Sequence, residues 1–353
     1  MLLNSIVGSI LTVNFPITKW LRSWIEPWHA PTSTSPSNEI TKTEYEAILR
    51  DMLKTMGTGF SPQRPCAHLA SQISTHISPV THNQDLARKV CKVGALVALY
   101  FYPTHGPAVQ ALIGTYTAFY LILDDEGESM LAQISQFRAL LMNPSPSSAP
   151  AAIQMTMTAP FKLLAWIFTE IDRVFAPPVA NRLVAGVLSS LSSLEIELDR
   201  STAFSGVASP LFAKYFRNMN GSSEAYVYFL LAENPEDPQG DGVTGSRLKR
   251  FLQGVPELWN VTDEINDLMS FYKESIGGDE RDTFVYHQAR GAGVSIAEVL
   301  RGLAREIPRR SGLIERIFED DEQLLEMARG FSLGQIEFYL ASERYRLAEL
   351  RLE

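Results

Sequence analysis

Three side chains with hard oxygen atoms recur at four-residue intervals in the C-terminal third of the chain. Asn266, Ser270 and Glu274 stand at positions i, i+4 and i+8 of the segment NDLMSFYKE, residues 266–274. On an α-helix, at about 3.6 residues per turn, this spacing predicts a single stripe. An amide oxygen, a hydroxyl and a carboxylate are ligands that a small, hard cation such as Mg²⁺ accepts, and Lys273 beside them is a point charge suited to phosphate. Apolar neighbours favour a metal site within an apolar wall over the alternative, the polar face of a solvated helix.

A second group of oxygen ligands, Asp124, Asp125 and Glu128, directly follows a long apolar segment, residues 108–123. That segment is apolar on all sides, which predicts a central helix of the domain. Carboxylates at the C-terminal end of a buried helix are unfavourable, because the helix dipole disfavours negative charge there and like charges raise each other's pKa. Bound divalent cations would relieve both effects. An acidic cap at the protein surface is the alternative that this cluster alone leaves open.

Both groups resemble the metal-binding motifs of class I terpene cyclases. Residues 266–274 resemble N-D-x-x-S-x-x-x-E, most closely in the form found in the trichodiene synthase family of fungal sesquiterpene cyclases. Residues 124–128 resemble the aspartate-rich motif D-D-x-x-D/E, with Glu128 where many members have Asp. The resemblance implies three Mg²⁺ ions, two of them bridged by Asp124. It implies electrostatic or salt-bridging roles for Asp125 and Glu128.

Two further segments resemble the same family. The dipeptide Arg344-Tyr345 resembles a C-terminal R-Y pair whose side chains hydrogen-bond the pyrophosphate, and residues 216–221, FRNMNG, also match. A surface arginine beside a half-buried tyrosine is the ordinary interpretation of such a dipeptide. With both metal motifs present, we expect Arg344 and Tyr345 to act with Lys273 on the substrate.

One feature of the family is missing. The resemblance predicts a pyrophosphate-sensing arginine twelve residues before the pair Ile196-Glu197, but that position holds Ala185. Arg182 lies three residues away, about one turn along the same helix face, and is the expected substitute. If neither position reaches the substrate, the remaining basic groups must close the site.

Composition excludes several classes of protein. The chain has 353 residues, 45% of them hydrophobic, which is enough to bury a large core. A net charge of −9 argues against nucleic-acid binding. The two cysteines, Cys66 and Cys91, give no disulfide framework and fit a reducing compartment, so we expect a cytoplasmic location. No apolar run approaches the roughly 20 residues of a membrane span, and the apolar start lacks the basic region of a secretory signal.

The elements that must position these residues are helices. Helical periodicity dominates and alternating strand patterns are absent, which predicts the all-α class. The resemblance implies a class I terpenoid synthase bundle in which the two ligand sets face each other across a central apolar cavity. We predict that residues 1–38 form an N-terminal extension and linker and that residues 39–353 form the cyclase domain. The predicted helices cover 39–57, 84–101, 108–123, 161–175, 179–199, 247–274, 295–308 and 320–341.

The implied function is Mg²⁺-dependent cyclisation of farnesyl diphosphate to a sesquiterpene hydrocarbon or alcohol, with release of pyrophosphate. Lys273, Arg344 and Tyr345 would add hydrogen-bond donors that close the site against water. Aromatic rings can stabilise the carbocation across their faces, although plain core packing is the competing interpretation for each candidate. These candidates are Phe101, Tyr120, Tyr226, Trp259 and Phe338.

Two alternatives remain open at this point. A chain-elongating prenyltransferase of the same fold would usually carry two aspartate-rich motifs, and the Asn/Ser/Glu form at 266–274 counts against it. A non-catalytic protein that binds isoprenoid diphosphates is kept open by Ala185 at the sensor position. The family analogy also implies a possible homodimer, which no sequence feature establishes.

Overall fold

The computed structural model describes residues 40–142, 159–198, 209, 211–232 and 245–352, and within these ranges the chain is helical with no strand. The all-α prediction is confirmed. The helices are α1 (Lys42–Met56), α2 (Ala67–Ile77), α3 (Gln84–Phe101), α4 (Pro107–Glu126), α5 (Leu131–Met142), α6 (Ala159–Val174), α7 (Pro177–Leu198), α8 (Phe212–Met219), α9 (Ser222–Tyr228), α10 (Gly245–Met269), α11 (Phe284–Ala292), α12 (Ile296–Phe318) and α13 (Glu322–Ala341).

Contacts divide the chain into two units, Met1–Asn38 and Glu39–Glu353. The first unit lies outside the described residues, so the predicted extension and linker stay a prediction. No helix in the described part of the second unit combines the length and the apolar character that crossing a bilayer requires.

Three helices at the centre of the second unit approach each other backbone to backbone. α4 begins with Pro107, whose missing N–H costs nothing at a helix start. A side chain at Gly94 of α3 would collide with the Gly114 carbonyl of α4, and one at Gly334 of α13 would collide with the Tyr100 carbonyl of α3. These glycines let α3, α4 and α13 pack closely, which fixes the positions of the side chains next to them.

Local signals define several helix starts. α1 begins with a capping box in which Thr41 and Glu44 satisfy each other's backbone N–H groups, and α12 begins with the same device at Ser295 and Glu298. Such caps give partners to N–H groups that would otherwise lack one inside the helix.

Several boundaries differ from the sequence prediction. α4 continues through Glu126, so Asp124 and Asp125 lie in its last turn, and α12 continues through Pro308 to Phe318. α10 ends at Met269, and the chain then forms a π-helix, Tyr272–Ile276. The predicted single helix over 247–274 is therefore wrong beyond residue 269. π-turns of this kind often occur at functional sites.

Four helices bring their C-terminal ends to one side of the bundle. Asp124 lies at the end of α4, Glu197 at the end of α7, Asn266 at the end of α10 and Arg344 just after α13. Helix C-termini carry partial negative charge, so this side of the bundle favours cations over free anions.

Candidate active site

These helix ends surround a cavity of about 290 Å³. We call its open end the mouth, formed by Asp124, Glu197, Lys273, Glu274 and Arg344. The other lining residues are Val93, Val97, Phe101, Thr117, Tyr120, Leu121, Ser190, Leu194, Arg217, Asn220, Ser222, Ser223, Tyr226, Thr262, Asn266, Gln335, Phe338, Tyr339 and Tyr345. The cavity thus combines a charged mouth with a wall in which about half of the residues are aromatic or aliphatic and half are polar.

One carboxylate of each predicted ligand group, Asp124 and Glu274, lies at the mouth. Arg344 lies 3.4 Å through Nη2 from Oδ2 of Asp124, although 220 residues separate them in the chain. The surrounding protein desolvates the Asp124 carboxylate and raises its pKa, while Arg344 opposes that shift. Since 66% of the Asp124 side chain remains accessible through the mouth, solvent screens part of this effect.

The other carboxylates of the mouth are perturbed in the same direction. Desolvation raises the pKa of Glu197 to about 7, with Arg217 opposing it and Asp124 adding to it. Desolvation also raises the pKa of Glu274, against the neighbouring Lys273. Crowded, partly desolvated carboxylates lower their free energy by binding a cation.

Asn266 is held in one amide orientation. Its Nδ2 donates to the Tyr339 hydroxyl at 2.6 Å, and its Oδ1 accepts from Nη2 of Arg217 at 2.9 Å. The oxygen that a metal would use therefore lies beside a guanidinium, in a residue that lines the cavity.

Ser270 and Glu274 keep the predicted stripe in spite of the helix change. The Ser270 N–H donates to the Asn266 carbonyl at 2.9 Å and the Glu274 N–H to the Ser270 carbonyl at 3.1 Å, both with α-helical spacing. The Ser270 hydroxyl donates to the Asn266 carbonyl at 2.7 Å, which leaves its oxygen lone pairs for another partner. Ser270 is buried behind the cavity lining.

The donor set fits a hard divalent cation. Within the described ranges no three His, Cys, Asp or Glu side chains are grouped as a metal site. The oxygen donors instead come from two helical segments: Asp124 and Glu274 lie at the mouth, Asn266 lines the cavity, and Ser270 lies between Asn266 and Glu274 in sequence, behind the lining. Free Ser270 lone pairs and carboxylates with raised pKa values match the oxygen ligands that Mg²⁺ takes.

Arg217 is a site residue that the sequence analysis did not assign. It lines the cavity from α8, with only 14% of its side chain exposed, and Nε donates to Oδ1 of Asp267 at 2.9 Å. Asp263 lies 3.4 Å from its Nη2. Burial opposes the charge on Arg217, but these two carboxylates outweigh it and raise the pKa of the guanidinium. The match of residues 216–221 to the family was the signal that could have identified it.

Arg182 is not among the residues that line the cavity. It pairs with the buried Glu224 and lies over the Tyr228 ring at 5.9 Å. Ala185, at the position expected for the sensor, is exposed. The structure therefore places a largely buried arginine, Arg217 of α8, in the cavity lining, whereas Arg182 lies outside the lining and pairs with Glu224.

Other predicted residues also lie outside the lining. Asp125 and Glu128 are exposed. Trp259 is half-buried on α10, and its Nε1 is buried with no hydrogen-bond partner among the described residues. Lys273 does line the mouth, where its Nζ lies 3.5 Å from Oε1 of Glu280.

The remaining aromatic candidates form one connected wall. The ring of Phe101 meets Tyr226 and Phe338 edge-on, with centroids 5.8 and 5.5 Å apart. Phe338 meets Tyr345 at 5.7 Å, and Tyr120 lines the same space. Rings in these orientations present both faces and edges to the cavity, and a ring face attracts a cation.

Known proteins resemble this chain in sequence and in structure. The model of the trichodiene synthase (TRI5) family matches residues 62–352. Terpene synthase BipA of Cochliobolus sativus is 26% identical over 317 residues, which cover 86% of this chain and 88% of that protein. Trichodiene synthase of Stachybotrys chartarum is 22% identical over 292 residues, covering 82% and 71%.

Solved structures share the fold. Linalool/nerolidol synthase from Streptomyces clavuligerus, in complex with 2-fluorogeranyl diphosphate, superposes with a TM-score of 0.53 at 15% identity. The match covers 77% of this chain and 98% of that structure. At this level of identity the similarity establishes the all-helical architecture alone.

Proposed function

The chain belongs to the trichodiene synthase family and is a terpene synthase, and from this premise we propose that it cyclises farnesyl diphosphate in a Mg²⁺-dependent reaction. The product would be a sesquiterpene hydrocarbon or alcohol, with pyrophosphate released. The observation that supports the proposal is a mouth of carboxylates and basic side chains that opens onto a cavity with aromatic residues in its wall. That combination suits a substrate with an anionic head and an apolar tail.

Asp124, Asn266, Ser270 and Glu274 would hold Mg²⁺. When bound, the metal supplies Lewis-acid stabilisation of the diphosphate as it leaves. Three ions are expected from the family resemblance, and Asp125 and Glu128 would contribute through their charge from outside the lining. The C-terminal ends of the surrounding helices add further attraction for cations.

The basic residues of the cavity would bind the diphosphate oxygens. Arg217, Lys273 and Arg344 each face a carboxylate or an amide oxygen in the structure. A diphosphate is a stronger acceptor of charge-assisted hydrogen bonds than these partners. Tyr345 can donate its hydroxyl hydrogen as well. These contacts would draw the mouth closed and exclude water from the ionisation step.

The aromatic wall would shield the carbocation after the diphosphate leaves. The ring of Phe101 contacts the rings of Tyr226 and Phe338, and aromatic ring carbons are weak nucleophiles. Their π-electrons stabilise positive charge without forming a bond. The released diphosphate is the strongest base near the mouth and would accept the proton that the cation loses.

The test is incubation of the purified protein with farnesyl diphosphate, with Mg²⁺ or with EDTA, followed by gas chromatography and mass spectrometry. A cyclic fifteen-carbon product that requires Mg²⁺ supports the proposal. A longer prenyl diphosphate formed on adding isopentenyl diphosphate would indicate the prenyltransferase. Diphosphate binding without pyrophosphate release would indicate the non-catalytic binder.

We also propose a cytoplasmic location and a homodimeric state for the enzyme. Cys66 and Cys91 are both free, which fits the reducing conditions of the cytoplasm. A homodimer is proposed by family analogy, and size-exclusion chromatography with light scattering tests it.

A further inference from the structure

The closed end of the cavity is not purely apolar. Thr117, Ser190, Thr262 and Gln335 line it and are between 1% and 4% exposed, so we call these four side chains the floor. A cavity that only sheltered a hydrocarbon would be more stable with apolar side chains there, because buried polar groups lose their hydrogen bonds to water.

The floor lies well below the mouth. Thr262 precedes Asn266 by one helical turn, about 6 Å along α10, and Thr117 precedes Asp124 by two turns, about 10 Å along α4. Gln335 precedes the end of α13 at Ala341 by six residues, about 9 Å along the helix. The diphosphate end of a substrate would therefore not reach these side chains, but its apolar tail would.

Hydrogen bonding fixes how Gln335 faces the cavity. The Thr262 hydroxyl donates its single hydrogen to the Leu258 carbonyl at 2.8 Å, so it can only accept from Gln335. Nε2 of Gln335 is accordingly the atom that lies 3.2 Å from Oγ1 of Thr262. Within the described part of the chain this is the only hydrogen bond of the Gln335 side chain, which leaves one N–H and the amide oxygen Oε1 for another partner.

A second hydrogen-bonded pair in the cavity lining, Thr117 and Tyr226, has fewer free hydrogen-bonding groups. Thr117 donates to the Ile113 carbonyl at 2.9 Å and accepts from the Tyr226 hydroxyl at 3.1 Å. The Tyr226 hydroxyl uses its only hydrogen in this bond, so it has no further donor. The Gln335 side chain therefore differs from the Thr117–Tyr226 pair, because it presents both a free donor and a free acceptor.

Aromatic residues flank Gln335 along α13. It stands four residues after Phe331 and three before Phe338, on one face of α13. The ring of Phe101 meets both of these rings edge-on, with centroids 5.7 and 5.5 Å apart. The neighbouring Gly334 packs close to the Tyr100 carbonyl of α3, and Gln335 lines the cavity together with Phe101 and Phe338, in the wall that would surround the carbocation.

We propose that Gln335 holds a water molecule at the floor and that this water ends the reaction, so that the main product is a sesquiterpene alcohol. The inference rests on the proposed function and specifies its product class. A water molecule needs partners that donate and accept and takes about 30 Å³ of space. The free N–H and Oε1 of Gln335 supply the partners, and the cavity of about 290 Å³ supplies the room.

The chemistry balances without any further reagent. A lone pair of the water oxygen forms a C–O bond to the cationic carbon, whose bond to the diphosphate oxygen broke at ionisation. The resulting oxonium loses one proton by way of further water to the released diphosphate. Farnesyl diphosphate and water thus give the alcohol and protonated pyrophosphate, with no oxidation or reduction.

The experiment is turnover of farnesyl diphosphate with Mg²⁺ in ¹⁸O-labelled water, with products analysed by mass spectrometry. The wild-type protein is expected to give mainly an alcohol that carries ¹⁸O. Gln335→Met keeps the length and volume of the side chain but removes its donor and acceptor. We expect the ratio of alcohol to hydrocarbon to fall on the order of ten-fold, the effect of losing one hydrogen bond of ordinary strength, while pyrophosphate release continues.

Two further variants make the result specific. Gln323→Met places the same substitution at an exposed position of α13 and should leave the alcohol ratio unchanged. Thr262→Val removes the hydroxyl that orients Gln335 and should lower the ratio in the same direction, which also tests the proposal if Gln335→Met does not fold.

The possible outcomes distinguish failure of the water-site proposal from failure of the cyclase proposal. A wild-type product that is entirely hydrocarbon, or an unchanged alcohol ratio in active Gln335→Met protein, overturns the water site and leaves the cyclase proposal standing. No pyrophosphate release by the wild-type protein from any prenyl diphosphate overturns the cyclase proposal, and the water site with it.

Discussion

Arg217 donates a hydrogen bond from Nη2 to Oδ1 of Asn266 at 2.9 Å, the oxygen through which Asn266 would bind a metal. A Mg²⁺ ion arriving at this oxygen is repelled by the guanidinium beside it. A diphosphate bound at the same time would compensate both charges, because it accepts hydrogen bonds from Arg217 and coordinates the metal. We therefore expect Mg²⁺ and diphosphate to bind together with higher affinity than either binds alone.

Arg217→Lys tests the geometry of this contact. Lysine keeps the positive charge beside Asp263 and Asp267 but cannot donate in the planar, two-pronged arrangement of arginine. We expect pyrophosphate binding with Mg²⁺, measured by calorimetry, to weaken on the order of ten-fold or more, the effect of losing at least one charge-assisted hydrogen bond. Binding equal to wild type would show that Arg217 has only a structural role.

Arg217→Met tests the structural role separately. It leaves two largely buried carboxylates, with 1% and 10% of their side chains exposed, without their arginine. Breaking a buried ion pair by removing one partner costs about 3–5 kcal/mol. We expect the free energy of unfolding in urea to fall by that order, and a variant as stable as wild type would contradict the ion-pair assignment.

Arg182→Ala and Arg344→Ala distinguish the two arginines proposed from sequence. Arg182 pairs with Glu224 away from the cavity lining, whereas Arg344 faces Asp124 at the mouth. We expect Arg182→Ala to lower thermal stability but to keep kcat within about two-fold, because it lies outside the binding machinery. Arg344→Ala should lose kcat on the order of 100-fold, the range for removing a donor to a developing anion.

The opposite ranking of these two variants in a steady-state assay would restore Arg182 as the substitute for the family arginine. Circular dichroism of both proteins is the control, since a folding defect in either variant would lower activity for an unrelated reason.

Glu197 should make stability depend on pH. Desolvation raises its pKa from 4.5 to about 7 in the folded protein, so between these values the folded state binds more protons than the unfolded state. The free energy of unfolding therefore falls as pH rises through this window, and the loss is complete above about pH 7. Solvent reaches this side chain through the mouth, so the effect should stay below about 1 kcal/mol.

Glu197→Gln removes that titration. The variant should have a higher Tm than wild type at pH 8 and a similar Tm at pH 5, where the wild-type carboxyl is already protonated in the folded state. Equal Tm differences at both pH values would contradict the raised pKa of Glu197.

Sequence patterns predicted the parts of this site that lie along single helices. Apolar residues on all sides of 108–123 predicted α4, and the four-residue spacing of Asn266, Ser270 and Glu274 placed them in one stripe. The stripe survives the change to a π-helix because both backbone hydrogen bonds keep helical spacing. Sequence periodicity is therefore sufficient to predict the relative positions of side chains that lie on one helix.

Contacts between distant segments could not be predicted in this way. Arg217 contacts Asn266 across 49 positions of sequence, whereas the helical spacing counted back from Ile196-Glu197 leads to Arg182 on α7. Trp259 lies on the same helix as Asn266 but outside the cavity lining, and its position along the helix could not show this. The floor pair Gln335 and Thr262 is visible only when α10 and α13 are packed together.

The most direct test of the account is pyrophosphate release from farnesyl diphosphate as a function of Mg²⁺, for wild type and for Asn266→Ala/Ser270→Ala. Asn260→Ala, also on α10 and outside the lining, is the matched control. We expect Mg²⁺-dependent release by wild type and by the control. In the double variant we expect the rate of release to fall on the order of 100-fold, and added Mg²⁺ should restore it only in part. Unchanged release by the double variant would contradict the assignment of residues 266–274 as the metal site.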